Sequence, residues 1–215
     1  MARLSRKDIL QDFRTRSLLE ATRKIIATEG FDAVTMERVA REAGITKGGI
    51  YLYFRNKDQL IFRAIEEIAS QMVQEIESRV DPKAPPRERL YQLVHAQMDT
   101  MEQHRDLLRT LLLDRRLLRD SPAGQQSRRL LKYRERHEGH IKKILDEGVR
   151  RKVFYPVDTA RAAFYINEMT ISVAQKRMLG LTKSSQKKEA EALIRFLALL
   201  LRARKQTVAN LEGRL

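Results

Sequence analysis

Apolar side chains recur along most of the chain with the spacing of amphipathic α-helices. In a first predicted helix, residues 9–28, Leu18, Ala21 and Ile25 follow the i, i+3, i+7 stripe of one buried face. Over residues 60–80 apolar side chains return every four residues, which predicts a second long helix. No stretch shows the alternation of a half-buried strand. The pattern therefore predicts an all-α fold of about nine helices.

Breaks in this pattern divide the chain. Residues 81–86 contain three prolines, which cannot continue a helix, and residues 120–124 form a second break. Asp106 is the predicted cap of the sixth helix, which ends at Leu117 and Leu118. Further helices are predicted to begin near Arg87, Gln125, Asp158 or Thr159, and Ser184 or Ser185.

Two short helices joined by a sharp turn are predicted within TMERVAREAGITKGGIYLYF, residues 35–54. Thr35 and Thr46 are suited to cap these helices, because their hydroxyls can accept hydrogen bonds from free backbone N–H groups. Gly44 stands at the turn, where glycine tolerates a left-handed backbone. This arrangement is typical of a helix-turn-helix, whose second helix enters the DNA major groove.

The outer face of the second short helix supplies candidate DNA contacts. Lys47 stands at its start, where a lysine can donate to guanine O6 and N7. The hydroxyls of Tyr51 and Tyr53 can donate to phosphates. Lys57 begins the next helix, capped by Asn56, and is expected to hold a phosphate there. The predicted DNA-binding residues are Thr35, Thr46, Lys47, Gly48, Gly49, Tyr51, Tyr53 and Lys57.

Two adjacent glycines, Gly48 and Gly49, lie within the predicted second helix. Each costs about 1 kcal/mol relative to alanine in a helix interior. Close approach of the backbone to DNA would account for them, and tight packing on the first helix accounts for them equally well.

Residues 18–65 resemble the DNA-binding domain of TetR-type transcriptional regulators. The resemblance rests on an Ala-rich first helix and on Glu29-Gly30-Phe31, Thr35, Ala43-Gly44-Ile45, Ile50-Tyr51, Phe54 and Asn56-Lys57. It covers about the first third of the chain, and the rest has no motif of comparable strength. The resemblance implies a homodimeric, ligand-controlled transcriptional regulator.

The predicted domains are residues 1–63, which bind DNA, and residues 64–215, a larger helical domain for effector binding and dimerisation. Residues 1–8 are polar and basic and are predicted to form a mobile arm. In some DNA-binding folds such an arm reaches the minor groove. Simple disorder would give the same composition.

Charge agrees with an anionic partner. The 215 residues carry a net charge of +15. Residues 1–63 hold 13 basic and 8 acidic side chains, and residues 128–152 hold 10 basic and 4 acidic ones. The basicity therefore extends beyond the predicted DNA-binding domain. A solvated helix face explains the second cluster, and a site for an anionic effector is the alternative.

Several classes of site are not expected. The chain has no cysteine, which excludes disulfides and Cys-based metal sites. His137 and His140 lack the spacing of a zinc-binding HExxH motif, and no catalytic constellation or phosphate loop is present, so no metal, cofactor or enzyme activity is predicted. No apolar run reaches the roughly 18 residues of a membrane span, and no signal peptide is visible, so a cytoplasmic protein is expected.

The second domain offers weaker signals for an effector site. Asn167 and Glu168 interrupt an apolar helix; they are effector contacts, or they face a dimer partner or solvent. A basic, apolar-lined domain suits an amphipathic anion such as an acyl-CoA or fatty acid, with an aromatic or cationic ligand as the alternative. The candidate effector-binding residues are Met98, Met101, Tyr133, His137, Asn167 and Glu168.

The last helix is apolar nearly all round at residues 197–201, which predicts burial on more than one side. Pairing of the last two helices, residues 158–204, with their symmetry mates would form a four-helix interface. TetR-type dimers use this arrangement. The candidate interface residues are Phe196, Leu197 and Leu200.

These features together predict a homodimeric, sequence-specific transcriptional regulator, a repressor released from a palindromic operator by a small-molecule effector. The alternative is a non-specific DNA-binding protein without effector control. That alternative explains the charge but gives no use to the second domain.

Overall fold

The computed structural model describes residues 5–113 and 125–201, and these residues form nine helices and no strand. The predicted all-α fold is confirmed. The helices are α1 (Arg6–Glu29), α2 (Met36–Glu42), α3 (Lys47–Ile50), α4 (Lys57–Ser78), α5 (Pro86–Gln103), α6 (Arg105–Leu113), α7 (Gln125–Arg150), α8 (Thr159–Met178) and α9 (Gln186–Leu200).

The chain packs as two compact units. The first comprises Met1–Gln71 with Asp106–Leu130, and the second comprises Met72–Arg105 with Leu131–Leu215. The division falls later along α4 than the predicted boundary after residue 63. Helices α4 and α7 each contribute residues to both units, so neither unit is a single continuous segment of the chain.

Helix α1 begins earlier than predicted because Ser5 and Asp8 form a capping box at its N-terminus. The Ser5 hydroxyl accepts a hydrogen bond from the Asp8 backbone N–H (3.2 Å), and the Asp8 carboxylate accepts one from the Ser5 N–H (3.1 Å). Residues 5–8 therefore belong to the start of α1 rather than to the predicted arm. The rest of that arm, residues 1–4, lies outside the described residues.

Other predicted boundaries are corrected by the backbone. Helix α6 begins at Arg105, so Asp106 lies in its first turn and is not its cap. Asp158 caps α8 and Ser185 caps α9, which settles both open alternatives. The predicted break at residues 120–124 and the end of the sixth helix at Leu117 and Leu118 lie outside the described residues.

The second unit is built around one apolar cluster drawn from the end of α4 and from α5, α7, α8 and α9. Burying a large aliphatic side chain of this kind contributes about 1.5–3 kcal/mol relative to leaving it exposed. Its fully or nearly fully buried members include Leu93, Val94, Ile141, Ile144, Leu145, Ala163, Ile166 and Leu197.

No helix within the described ranges is long and apolar enough to cross a membrane.

A tight turn after α7 closes this unit. The Gly148 carbonyl accepts hydrogen bonds from the backbone N–H groups of Val153 (2.8 Å) and Phe154 (3.1 Å), and Lys152, the residue before these two, has a positive φ of 58°. The Phe154 ring is buried directly on Gly148. A Cβ atom added at Gly148 would lie 2.0 Å from Cδ2 of that ring. Glycine is thus required here by packing.

We expect Gly148→Ala to destabilise the protein by about 1–3 kcal/mol, because the Phe154 ring must leave its position on α7. Gly139→Ala is the matched control, because Gly139 lies on the same helix, α7, and a Cβ there would meet no atom within 4 Å. The control should stabilise α7 by up to about 1 kcal/mol. Urea unfolding of both variants measures the contrast, and equal effects would contradict it.

Candidate nucleic-acid interface and effector region

The turn between α2 and α3 has the geometry that the sequence predicts. Gly44 has φ +67°, and the Ile45 N–H that follows it donates to the Ala40 carbonyl (2.8 Å). The Thr35 hydroxyl accepts from the Arg38 N–H and the Thr46 hydroxyl accepts from the Gly49 N–H, both at 3.1 Å. Both predicted caps are confirmed, and they fix where each helix begins.

Helix α3 is shorter than predicted, since it ends at Ile50 and Tyr51 caps it. Lys47, at its start, is exposed and lies 3.3 Å from the Glu37 carboxylate of α2. Exposed ion pairs of this kind contribute little to stability, so Lys47 can exchange this partner for another. Tyr51 is exposed and Tyr53 is partly buried.

Leu52 is a candidate DNA contact that the sequence argument missed. Its side chain is 82% exposed, the highest fraction of any large apolar side chain in the described residues. It stands between Tyr51 and Tyr53, beside the other candidate contacts. An apolar side chain in the major groove can contact a thymine methyl group. The sequence does contain a signal for this contact. Leu52 is apolar but stands two positions after Ile50, a spacing that places it off the buried face of the helix.

The two glycines of α3 differ. A Cβ at Gly49 would lie 2.8 Å from Cγ2 of Ile45 and 3.0 Å from Oγ1 of Thr46, so packing within the turn accounts for this glycine. The atoms it would meet belong to the turn, not to the first helix as the sequence analysis proposed. A Cβ at Gly48 would meet nothing within 4 Å. Packing in the described residues therefore gives no reason for Gly48.

The N-terminus of α4 is capped by Asn56, whose side chain accepts from the Gln59 N–H (2.8 Å). The Gln59 side chain accepts from the Arg55 N–H (2.7 Å), whereas in a capping box it would accept from the N–H of the cap residue Asn56. Lys57 is the first residue of α4 and is partly buried. A lysine beside helix N-terminal N–H groups suits an anion such as a phosphate.

In the second unit, the predicted effector residues divide by burial. Met98, Met101, His137 and Asn167 are buried, whereas Tyr133 and Glu168 are partly exposed. None of these six lines the apolar pocket of about 270 Å³ between α5 and α9, whose walls include Leu90, Phe154, Ile194, Ala198 and Leu201.

A hydrogen-bond network joins α5, α8 and α7 around Asn167. The Gln97 amide nitrogen donates to the Asn167 side-chain oxygen (2.8 Å), and the Asn167 nitrogen donates to the Glu138 carboxylate (3.2 Å). Arg134 pairs with Glu138 (2.9 Å) and with Glu168 (2.6 Å). Asn167 therefore faces its own unit, and Glu168 is held at the edge of the same network.

His137 is 4% exposed. The pKa of its imidazole is lowered to about 4, first by burial and then by neighbouring His140, and the Glu77 and Glu138 carboxylates only partly oppose this. The ring is neutral at pH 7. Neither ring nitrogen has a hydrogen-bond partner among the described residues, and the same holds for Gln97 Oε1 and Thr100 Oγ1. In the sequence, Gln97 and Thr100 were visible only as polar residues beside an apolar stripe.

The predicted dimer face is corrected at one position. Leu197 is 2% exposed and packs in the core of its own unit, because the apolar side of α9 that carries it faces α5 and α8. Phe196 and Leu200 are each 49% exposed, so both stay candidate interface residues. Three further apolar side chains are exposed that were not among the predicted interface residues: Phe164 and Tyr165 on α8, and Leu199 on α9.

Among the described residues, no group of three or more His, Asp or Glu side chains is arranged to hold a metal ion.

Comparisons with known proteins match both parts of the chain. Residues 18–64 match the family model described as bacterial regulatory proteins, tetR family. Residues 83–175 match the model described as tetracyclin repressor-like, C-terminal domain. The chain is also 24% identical over 160 residues to the uncharacterized HTH-type transcriptional regulator YhgD of Bacillus subtilis, covering 74% of this chain and 82% of that protein.

Two solved structures share the fold. The fatty acid degradation regulator FadR from Bacillus halodurans is 21% identical, with a TM-score of 0.72, over 89% of this chain and 97% of its own. FadR from Bacillus subtilis, solved in complex with stearoyl-CoA, is 20% identical, with a TM-score of 0.71, over 87% and 97%. At these identities the likeness concerns the fold alone.

We expect Gly48→Ala to separate folding from DNA binding. The open space around Gly48 should let alanine stabilise α3 by up to about 1 kcal/mol. If DNA approaches this backbone, the same methyl group should weaken DNA binding about tenfold. Gly139→Ala, an equally open helical position on α7, is the control and should leave DNA affinity unchanged. Thermal unfolding measures the first effect, and fluorescence anisotropy on duplex DNA measures the second. Unchanged DNA affinity in Gly48→Ala would show that DNA does not approach this backbone closely.

Proposed function

We propose that this chain, which belongs to the TetR family of bacterial regulatory proteins, is a homodimeric repressor released from a palindromic operator by a small-molecule effector. The family makes it a DNA-binding transcriptional regulator. Dimerisation, repression and effector release are the proposed extension. The observation that carries the proposal is the capped α2–turn–α3 geometry, which leaves Lys47, Tyr51 and Leu52 exposed.

A non-specific DNA-binding protein is the weaker alternative. It would need positive charge but no second unit, and residues 83–175 match a family domain of their own. The exposed Leu52 also argues against it, because an apolar side chain adds nothing to phosphate binding. We further propose that the protein acts in the cytoplasm, where its DNA target lies.

The two lysines of the proposed interface have different tasks. Lys47 is exposed at the start of α3, from which a side chain can reach a base edge. Lys57 lies outside α3, at the N-terminus of α4, where backbone N–H groups favour a phosphate. Base contacts give sequence preference, whereas phosphate contacts give affinity on any sequence.

This division predicts opposite signatures for two alanine variants on DNA selected by the wild-type protein from a random pool. Lys47→Ala should relax the preference at one base position and cost about 1–3 kcal/mol on the selected sequence. Lys57→Ala should weaken selected and scrambled DNA alike and reduce the salt dependence of binding by about one phosphate contact.

Competition titrations at several salt concentrations measure both effects. Near-equal wild-type affinity for selected and scrambled DNA would refute the sequence-specific repressor. If Lys57→Ala changed base preference and Lys47→Ala did not, the placement of the recognition helix would be wrong.

The effector is proposed to bind in the second unit and to be amphipathic, with an acyl-CoA or fatty acid as the class. Two observations support this class. Residues 128–152 are strongly basic, and the fold is shared with a regulator solved in complex with stearoyl-CoA. Release would require a coupling of about 1–3 kcal/mol between effector and DNA sites.

Helix α4 is the proposed route of that coupling, because in each unit one of its carboxylates meets an arginine of α7. In the second unit, Glu77 accepts two hydrogen bonds from Arg136, at 3.0 and 2.5 Å. In the first unit, the buried Glu66 lies 3.7 Å from Arg129. An effector that shifts α7 would therefore shift α4, the helix that follows directly on the proposed DNA contacts.

Dimerisation is proposed to use the outer faces of α8 and α9. Phe164 and Tyr165 of α8 and Phe196, Leu199 and Leu200 of α9 leave large apolar surfaces exposed on two long neighbouring helices. Exposed apolar patches of this kind mark protein–protein contacts. A two-fold axis through these helices would cover them with the same patch of a second copy.

Phe196→Asp and Leu200→Asp should each yield folded monomers, because they place a charge in the proposed interface without disturbing the core. Leu181→Asp, at an exposed position outside α8 and α9, is the control and should remain dimeric. Leu197→Asp should instead unfold the second unit, since it buries an unpaired charge. Sedimentation velocity and circular dichroism separate the outcomes; dimers in both Phe196→Asp and Leu200→Asp would refute this face.

A further inference from the structure

A layer of buried polar side chains lies next to the apolar cluster of the second unit. On α5, the buried stripe is apolar at Leu93 and Val94 and carries polar residues one and two turns later, at Gln97 and Thr100. Gln97 is 3% exposed and Thr100 is fully buried. Polar residues at such positions require partners, so their surroundings matter more than those of their apolar neighbours.

The helices packed with α5 change character at the same level. On α7, His137 lies one turn before Ile141 of the apolar cluster. On α8, Asn167 directly follows Ile166, the last fully buried cluster residue of that helix, and Thr170 lies one turn later. Hydrogen bonds from Gln97 to Asn167 (2.8 Å) and from Asn167 to Glu138 (3.2 Å), the residue after His137, join the three helices, whose buried polar residues are called the polar layer.

The members of this layer are not equally satisfied. The Thr170 hydroxyl donates to the Ile166 carbonyl (2.8 Å), the usual arrangement for a threonine inside a helix. The Thr100 hydroxyl, equally buried, has no partner within the described part of the chain. Nor have Gln97 Oε1 and both ring nitrogens of His137. Unpaired buried polar atoms cost stability, and a ligand that pairs with them recovers it.

The carboxylates and arginines around the layer are already paired with one another, and Arg134 is shared between Glu138 and Glu168. Glu138 accepts from Arg134 and Asn167, and Glu77 accepts from Arg136. Burial keeps the pKa of His137 at about 4, so its imidazole is neutral at pH 7 and offers one donor and one acceptor. An ion entering this layer would meet no free counter-charge among these groups and would be costly to bury.

The walls beside the layer can adapt to a ligand. Met98 and Met101 are buried on α5, next to Gln97 and Thr100. Methionine is unbranched and flexible, so it can repack around an inserted group at small cost.

We infer that Gln97, Thr100 and His137 bind an uncharged hydrogen-bonding group of the effector, such as an amide, a hydroxyl or the carbonyl of an ester or thioester. The inference rests on the proposed effector-controlled function and narrows its ligand. A free carboxylate is disfavoured in this layer at pH 7, because the arginines beside it, Arg134 and Arg136, are already paired with carboxylates. Of the two proposed ligand classes, an acyl-CoA meets this requirement through its thioester, whereas a free fatty acid does not.

The first test compares two buried threonines in the ligand-free, full-length protein. Thr100→Val removes an unpaired hydroxyl with little change of shape and should raise the melting temperature by about 2–4 °C. Thr170→Val, the matched control, removes a paired hydroxyl and should not raise it. Equal or lower melting temperature in Thr100→Val would overturn the inference, because the hydroxyl would then be satisfied without a ligand.

The second test uses two eight-carbon probes, octanamide and octanoate, in isothermal titrations at pH 7.5. Wild-type protein should bind octanamide at least about tenfold more tightly than octanoate. Thr100→Val should weaken octanamide about tenfold, and Thr170→Val should leave it unchanged. Equal or tighter binding of octanoate, an unchanged octanamide affinity in Thr100→Val, or no binding of octanamide would each overturn the inference.

Sequence-selective DNA binding of the wild-type protein separates failure of the polar-layer inference from failure of the proposed function. If it persists while the probes fail, the inference about the polar layer is wrong and the proposed regulator stands. If the wild-type protein does not prefer selected over scrambled DNA, the proposed function itself fails.

Discussion

Ion pairs between carboxylates of α4 and arginines of α7 hold these two long helices against each other. Each compact unit contains one such pair, at Glu66 with Arg129 and at Glu77 with Arg136. Glu66 is buried and also pairs with Arg63 (2.6 Å), so its charge is compensated where solvent cannot screen it. In the second unit, Ile76 of α4 and Ile141 of α7 also belong to one apolar cluster, so apolar burial and charge act together there.

The local geometry of the DNA-binding part could be read from the sequence because each feature depends on neighbours in the chain. Thr35 and Thr46 cap helices that begin one residue later, and Gly44 takes the left-handed backbone that only a glycine adopts at little cost. The start of α1 is also set locally, by the capping box of Ser5 and Asp8, but the polarity of this segment led to the prediction of an arm.

The second unit was harder to predict because its features depend on distant parts of the chain. Leu197 and Leu200 are both leucines of one apolar run, yet only the packing of α9 on α5 and α8 decides which is buried. Thr100 and Thr170 are likewise the same residue type, equally buried, and differ in whether a carbonyl accepts from the hydroxyl. Helical periodicity gives the face of a helix but not the partner that covers it.

The contrast between Gly48 and Gly49 bears on how such a regulator acquires a new target during evolution. Gly49 is constrained by Ile45 and Thr46, so most changes there damage the turn itself. Gly48 faces open space at the start of α3, and a Cβ atom can be added there without meeting any described atom of the protein within 4 Å. The surface presented to DNA can therefore be rebuilt at that position by single substitutions that the fold tolerates. Divergence in recognition can then proceed without an intermediate that fails to fold.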